Sequence, residues 1–168
     1  MAMDVNYDLD SRKAYQAKVE EERVAKVAGV ACEHCLSPGC GIYETRYDIC
    51  RTYRCGWKHA AWLPEAMRPD RSGVVIDFRE TEAPGYELGA RLLAYADPAA
   101  LERHPVPDVI ASLIAQKVLT HIARSGPPGA PGAKAAVNEQ LAEAVRTRDP
   151  DLFLAELKAG VRALETAP

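Results

Sequence analysis

The first third of the chain has little of the periodic apolar pattern that marks buried elements. Its clearest element is residues 10–28, where a thin apolar stripe predicts a helix. Asp10 or Ser11 can cap the start of this helix, and Gly29 can end it in a left-handed turn. Residues 29–64 are rich in glycine, proline and polar side chains, so we expect coil and short helical turns there.

The middle of the chain alternates between strand-like and helix-like patterns. Residues 73–79, GVVIDFR, predict a strand because of their β-branched run, and residues 91–96 predict its partner. Residues 106–116 place apolar side chains on one helical face, which predicts a helix. Residues 117–123, KVLTHIA, are expected to form a third strand.

The last quarter of the chain predicts two helices. Residues 125–133, SGPPGAPGA, form a Pro/Gly loop without regular structure of its own. Residues 134–165 then predict a helical hairpin, whose second helix opens at Asp149-Pro150. The apolar stripes of the hairpin are Val137, Leu141 and Val145, followed by Phe153, Leu157, Val161 and Leu164.

These elements predict the α+β class: a small sheet with several helices, a Cys-rich segment near the N-terminus and a C-terminal helical hairpin. With 168 residues, 48% hydrophobic and 27% charged, the chain has the size and composition of one globular domain. We expect that domain to span residues 1–168. It would contain the Cys-rich segment (29–64), an α+β part (65–124) and the hairpin (134–165).

Charge and hydropathy limit the partners. The net charge of −3 argues against a nucleic-acid partner, and no run of about 18 apolar residues predicts a membrane helix. The polar, acidic N-terminus lacks the pattern of a signal peptide. We therefore expect a cytoplasmic protein with no membrane partner, whose cysteines stay reduced and are available to a metal.

All five cysteines lie within a window of 24 residues, and this clustering is the strongest chemical signal in the chain. Two residues separate the first two cysteines, a spacing that lets both sulfurs reach one ion. The last two cysteines offer a second pair, and the middle one, between two glycines, can replace a ligand or complete an iron–sulfur cluster. The predicted metal ligands are Cys32, Cys35, Cys40, Cys50 and Cys55.

The identity of the metal is open between zinc and an iron–sulfur cluster, since thiolate sites suit both. The spacing matches no ferredoxin pattern, which favours zinc. His34 and His59 lie close enough in sequence to be alternative ligands. Nearby cations either offset the thiolate charge or form a solvated face; they are Arg46, Arg51, Arg54 and Lys58.

The pattern C-x2-C-x4-C-x-I-Y-x-x-R-x-x-x-C-R-x-Y-x-C-x-W resembles the CxxCxxCC, or YkgJ-type, family of bacterial proteins described as zinc- or iron-chelating. This chain has four residues between Cys35 and Cys40, and Tyr47 where that family often has proline. The resemblance implies metal binding and no particular reaction. Its matching positions are Cys32, Cys35, Cys40, Ile42, Tyr43, Arg46, Cys50, Arg51, Tyr53, Cys55 and Trp57.

These observations predict a metal-binding protein with a structural, redox or sensing role, and we expect no catalytic residue. One alternative is a metal-dependent oxidoreductase or protein-modifying enzyme, which would need an open coordination position. Another is a binding module that presents Arg46, Arg51 and Arg54 on a zinc-stabilised loop to a protein or nucleic acid. A protein partner is compatible with each of these hypotheses.

Overall fold

A computed structural model describes residues 30, 32–36, 39–53 and 55–167. The predicted helix over residues 10–28 lies outside the described residues. The described part of the chain contains a four-stranded mixed sheet with helices packed on it, and a separate two-stranded hairpin. The predicted α+β class is confirmed.

The elements follow one another in an order that brings the Cys-rich segment directly before the sheet. Short 3-10 turns cover Glu65–Met67 and Pro98–Glu102. The strands and helices are β1 (Cys35–Leu36), β2 (Gly39–Cys40), α1 (Asp48–Thr52), α2 (Gly56–His59), α3 (Pro69–Ser72), β3 (Val74–Glu80), β4 (Leu88–Ala94), α4 (Val106–Ala115), β5 (Leu119–Arg124), β6 (Lys134–Ala136), α5 (Asn138–Thr147) and α6 (Pro150–Thr166).

The larger sheet has the strand order β3-β4-β5-β6. β3 and β4 form an antiparallel pair, β4 and β5 run parallel, and β5 pairs with β6 antiparallel. The parallel pair requires a crossover, which runs through the 3-10 turn at Pro98–Glu102 and through α4. The predicted Pro/Gly loop, residues 125–133, connects β5 to the antiparallel β6.

One hydrophobic core lies between one face of the sheet and the helices. Alternate residues of the strands are fully buried there, because successive side chains of a strand point to opposite faces. Helices α4, α5 and α6 complete the core with the stripes predicted from their periodicity. The sheet contributes Val74, Ile76, Phe78, Ala90, Leu92, Ala94 and Ile122 to this core.

The strand predictions are confirmed with small shifts, but one strand was missed. The C-terminal hairpin begins at Asn138, whereas the sequence placed its start at residue 134. Residues 134–136 form β6 instead. Alanine-rich sequence favours a helix locally, but pairing with the free side of β5 satisfies the backbone of these residues.

The side chain of Asn138 continues the β5–β6 ladder beyond the last paired residue. Its Oδ1 accepts a hydrogen bond from the Thr120 N–H at 2.7 Å, and its Nδ2 donates to the Val118 carbonyl at 2.8 Å. The Val137 N–H donates to the Thr120 carbonyl at 3.0 Å. Asn138 therefore satisfies the buried start of β5 and fixes the first residue of α5 on the sheet.

The far end of the hairpin is held by Arg124, the last residue of β5. Its Nε donates to the Leu164 carbonyl at 2.7 Å, and its Nη2 donates to the Ala167 carbonyl at 2.7 Å. The last carbonyls of a helix lack partners within the helix, and a cation there also interacts favourably with the helix dipole. The sheet thus fixes α5 at its first residue and α6 near its last residues.

We predict that Asn138→Ala lowers the free energy of unfolding by about 2–3 kcal/mol, because it leaves the buried Thr120 N–H and one bond to Val118 unsatisfied. Urea denaturation checks this. Gln116→Ala is the matched control, since Gln116 is exposed and its side chain bonds only to Ser112 of its own helix. Equal losses in the two variants would contradict a special role for Asn138.

Candidate metal centre

The first part of the Cys-rich segment folds into a small hairpin. Strands β1 and β2 pair so that Cys35 and Cys40 occupy directly opposite positions. A hydrogen bond from the Gly41 N–H to the His34 carbonyl, at 2.8 Å, extends the pair by one more step. The backbone therefore brings together two cysteines that the sequence separates by four residues.

The other cysteines lie on either side of this hairpin along the chain. Cys32 precedes it and is exposed, as is Cys40. Cys50 is exposed on α1, a helical turn in which the Cys50 N–H donates to the Tyr47 carbonyl at 2.9 Å. Cys55 is half-buried immediately before α2, and its carbonyl accepts from the Lys58 N–H at 2.9 Å.

Among the residues whose side chains the structure describes, no three His, Cys, Asp or Glu side chains converge on a point that could hold a metal ion. What the structure provides is the opposed pair Cys35 and Cys40, with exposed thiols at Cys32 and Cys50. An all-sulfur donor set of this kind fits zinc or an iron–sulfur cluster. The full set of five ligands stays a prediction.

The two histidines considered as alternative ligands have other neighbours. The His34 Nε2 lies 3.6 Å from a carboxylate oxygen of Glu33, and its ring is 6.4 Å from the ring of Tyr47. His59 ends α2 and is half-buried. Neither histidine belongs to a three-membered ligand group among the described side chains.

Arg51 stabilises the connection between Cys40 and Cys50 through its backbone contacts. Its Nη2 donates to the Glu44 carbonyl at 2.6 Å, and its Nε donates to the Arg46 carbonyl at 3.0 Å. A planar guanidinium can hold two carbonyls at once, which an ammonium group does less well. Arg51 therefore organises the turns at residues 41–45. The sequence suggested charge compensation, a solvated face or contact with a partner for it, and none of these involves the backbone.

The remaining cations and tyrosines of the segment lie near its surface. The Arg46 guanidinium stacks over the Tyr43 ring at 4.1 Å, and the Lys58 ammonium lies 5.0 Å from the Trp57 ring. Arg54 lies outside the described residues. Tyr43 and Tyr53 are 58% and 49% exposed.

The second part of the segment anchors these cysteines to the sheet. Gly56, the residue after Cys55, is buried so tightly that an added Cβ would lie 2.8 Å from the Phe78 ring and 3.0 Å from Ile76. Trp62 packs against the same Phe78 ring, at a centroid distance of 6.4 Å. The chain then adds Ala60, Leu63 and Met67 to the core.

The two tryptophans of the chain help to anchor the Cys-rich segment to the sheet. Trp57 and Trp62 both pack against the hydrophobic core, and the Trp57 Nε1 donates to the Pro64 carbonyl at 3.3 Å. This core packing accounts for their positions. Helix α3 follows, with Pro69 in its first turn and Gly73 closing it at a φ of 73°, which leads the chain into β3.

A second group of charged and polar side chains was missed by the sequence reasoning. Arg79, Arg91, His121 and Lys134 come from four different strands and line one cavity on the sheet face opposite the core. His121 is a strand residue, as predicted. The available signal was the pair of charged residues at alternate positions of β3, Asp77 and Arg79. This pattern does not predict which strands pair with one another.

Comparisons with known proteins give one short local similarity. A 28-residue stretch is 71% identical to the FeMo cofactor biosynthesis protein NifB of Bradyrhizobium diazoefficiens. This stretch is 17% of the present chain and covers only 6% of the length of that protein. No family model matches the chain, and no solved structure matches it. None of the helices in the described part of the chain is long and apolar enough to cross a membrane.

We predict that Gly56→Ala lowers the free energy of unfolding by about 1–3 kcal/mol, because the new methyl group would overlap the buried Phe78 ring. Chemical denaturation measures this change. Gly160→Ala makes the same substitution within α6, where the Cβ meets the flexible end of Gln140 at 3.1 Å.

The control should be neutral or stabilising, because alanine is favoured over glycine in a helix by about 0.5–1 kcal/mol. If Gly56→Ala unfolded at the same urea concentration as the wild type, the tight anchoring of the Cys-rich segment would be disproved.

Proposed function

We propose that residues 32–55 bind a metal through cysteine thiolates and that this binding is the main biochemical property of the protein. The observation that supports it most directly is the pairing of Cys35 with Cys40, with Cys32 and Cys50 exposed on either side of the hairpin. The backbone pairing brings Cys35 and Cys40 together in a hairpin that is separate from the four-stranded sheet. The role is structural, redox or sensing.

The local similarity to a FeMo cofactor biosynthesis protein supports the same class of function. That name describes assembly of a metal cofactor. The similarity covers 28 residues, so what we carry over to this chain is the handling of metal rather than a step of assembly. The resemblance of the cysteine pattern to the YkgJ-type family, described as zinc- or iron-chelating, supports the same proposal.

The five cysteines would play different parts in binding the metal. Cys35 and Cys40 form the primary pair, and Cys32 is the nearest thiol in sequence, three residues before Cys35. Cys50 and Cys55 would complete the ligand set. Arg51 favours this, because its bonds to the Glu44 and Arg46 carbonyls hold the turns between Cys40 and Cys50. When bound, four thiolates around zinc give a closed structural site, whereas an iron–sulfur cluster supplies electron transfer.

The surface of the segment is less suited to a nucleic-acid partner than the sequence alone suggested. Arg51 donates to two carbonyls, and Arg46 lies over Tyr43, so both guanidinium groups have intramolecular contacts. Exposed aromatic rings at Tyr43, Tyr47 and Tyr53 are compatible with a protein partner. The enzyme hypothesis needs a metal with an open coordination position, and the spectroscopy described below tests that.

We predict that the protein purified without oxygen contains stoichiometric metal and that Cys40→Ser loses most of it. Elemental analysis of the pure protein gives the metal content per chain. His104→Asn is the control, since His104 is 82% exposed beside Asp108 and lies on the α4 side of the fold. Equal metal content in Cys40→Ser and the wild type, both folded by circular dichroism, would contradict the proposal.

The visible absorption spectrum of the same sample decides which metal is present. A brown protein with iron and labile sulfide would identify a cluster and favour a redox or sensing role. A colourless protein with one zinc per chain would identify a mononuclear zinc site. Cobalt substitution of that zinc then distinguishes four thiolates from a site with an open position, which the enzyme hypothesis requires.

A further inference from the structure

The face of the large sheet that points away from the core carries charged side chains in register. Asp77, Arg91 and His121 are neighbours across β3, β4 and β5. Asp77 pairs with Arg91 between β3 and β4, and Arg91 pairs with His121 between β4 and β5. Arg79 lies two residues beyond Asp77 on the same face, and Lys134 enters from β6. All four strands thus contribute a polar side chain to one region.

Four of these side chains line a cavity of about 180 Å³. Arg79, Arg91, His121 and Lys134 form its walls, and Gly89 lies between Arg79 and Leu119 in the paired strands. An added Cβ at Gly89 would meet Arg79 at 3.4 Å and the Leu119 carbonyl at 3.7 Å, which are ordinary contacts. The missing side chain therefore leaves space that a larger residue would fill.

The charges around the cavity are not balanced. A single carboxylate, Asp77, pairs through Oδ2 with the Arg79 Nη2 at 3.0 Å and the Arg91 Nη2 at 3.3 Å. Lys134 forms no ion pair within the described part of the chain. Three cations and one carboxylate leave an excess of two positive charges.

Two further observations indicate that this excess positive charge lacks an anionic partner among the described residues. The Arg91 Nε is buried and has no hydrogen-bond partner among the described residues. The pKa of His121 is lowered, first by burial and then by the charges of Lys134 and Arg79. His121 is therefore neutral at pH 7, and its imidazole can donate one hydrogen bond and accept another. An unpaired buried donor costs free energy unless a ligand or water satisfies it.

We propose that this cavity binds the dianionic phosphate group of a small molecule, either free phosphate or a phosphate monoester. Arg79 and Arg91 are held in place by Asp77, which leaves their other N–H groups for the ligand. A second cavity of about 200 Å³ shares Arg91 and Lys134 and offers room for an organic substituent. This inference is independent of the metal proposal.

The composition of this face favours a small anion over a nucleic acid. Single strands are usually held by aromatic side chains on which the bases stack. No phenylalanine, tyrosine or tryptophan of β3–β6 lies on this face, because Phe78 points into the core. The side chains outside the charged group are small or aliphatic: Val75, Leu93, Leu119, Ala123 and Ala136.

The test measures binding of inorganic phosphate and of glucose 6-phosphate by calorimetry at low ionic strength. Gly89→Val fills the cavity without a change of charge, and Lys134→Gln removes one charge. Lys158→Gln is the control, since it removes the charge of an exposed lysine on α6. We expect each cavity variant to weaken binding by about tenfold or more, and the control to bind within about twofold of the wild type.

Proton NMR of His121 gives a readout that does not depend on affinity. Bound phosphate should raise the pKa of His121 in the wild type, because a negative charge among Arg79, Arg91 and Lys134 favours the imidazolium. In Gly89→Val this rise should disappear, while thermal unfolding shows that the variant is folded.

Equal affinity for the two probes supports a site for free phosphate, and tighter binding of glucose 6-phosphate supports use of the second cavity. The proposal is overturned if neither probe binds the wild type. It is also overturned if both cavity variants bind as well as the wild type, or if Lys158→Gln weakens binding as much as Lys134→Gln.

Discussion

The helices of the described chain pack on one face of the four-stranded sheet, and this one-sided arrangement determines the other features of the structure. The apolar positions of β3, β4 and β5 must all face the same way to form a single core. The opposite face is then free to carry polar side chains, which the strand register brings together. The core and the charged cavity are thus two consequences of the same alternation along the strands.

The Cys-rich segment depends on the core in a more indirect way. Its hairpin and turns bury little surface, so they cannot be stable through apolar packing alone. Two devices compensate for this: Arg51 bonds to backbone carbonyls within the segment, and Gly56 lies tightly against Phe78 where the segment joins the sheet. A bound metal would add a third link, between the hairpin and the residues around Cys50.

The sequence predicted the fold well where the pattern is local. The strand at 73–79 and the helix at 106–116 follow from β-branched and periodic apolar residues, and Asp149 caps the last helix as expected, accepting from the Asp151 N–H at 3.0 Å. The strand β6 could not be predicted, because it depends on pairing with β5. The cysteine cluster was evident, but the pairing of Cys35 with Cys40, the bonds of Arg51 and the cavity beside Gly89 arise only from chain geometry.

The short length of β6 affects how one copy of the protein can associate with another. A strand at the border of a sheet exposes unpaired N–H and C=O groups, which can recruit a strand from another chain. Here that border is only Lys134–Ala136, it follows a proline at position 131, and it begins with an exposed lysine. Asn138 then turns the chain into a helix. This side of the sheet therefore offers too short a template for intermolecular strand addition, which disfavours ordered aggregation through β6.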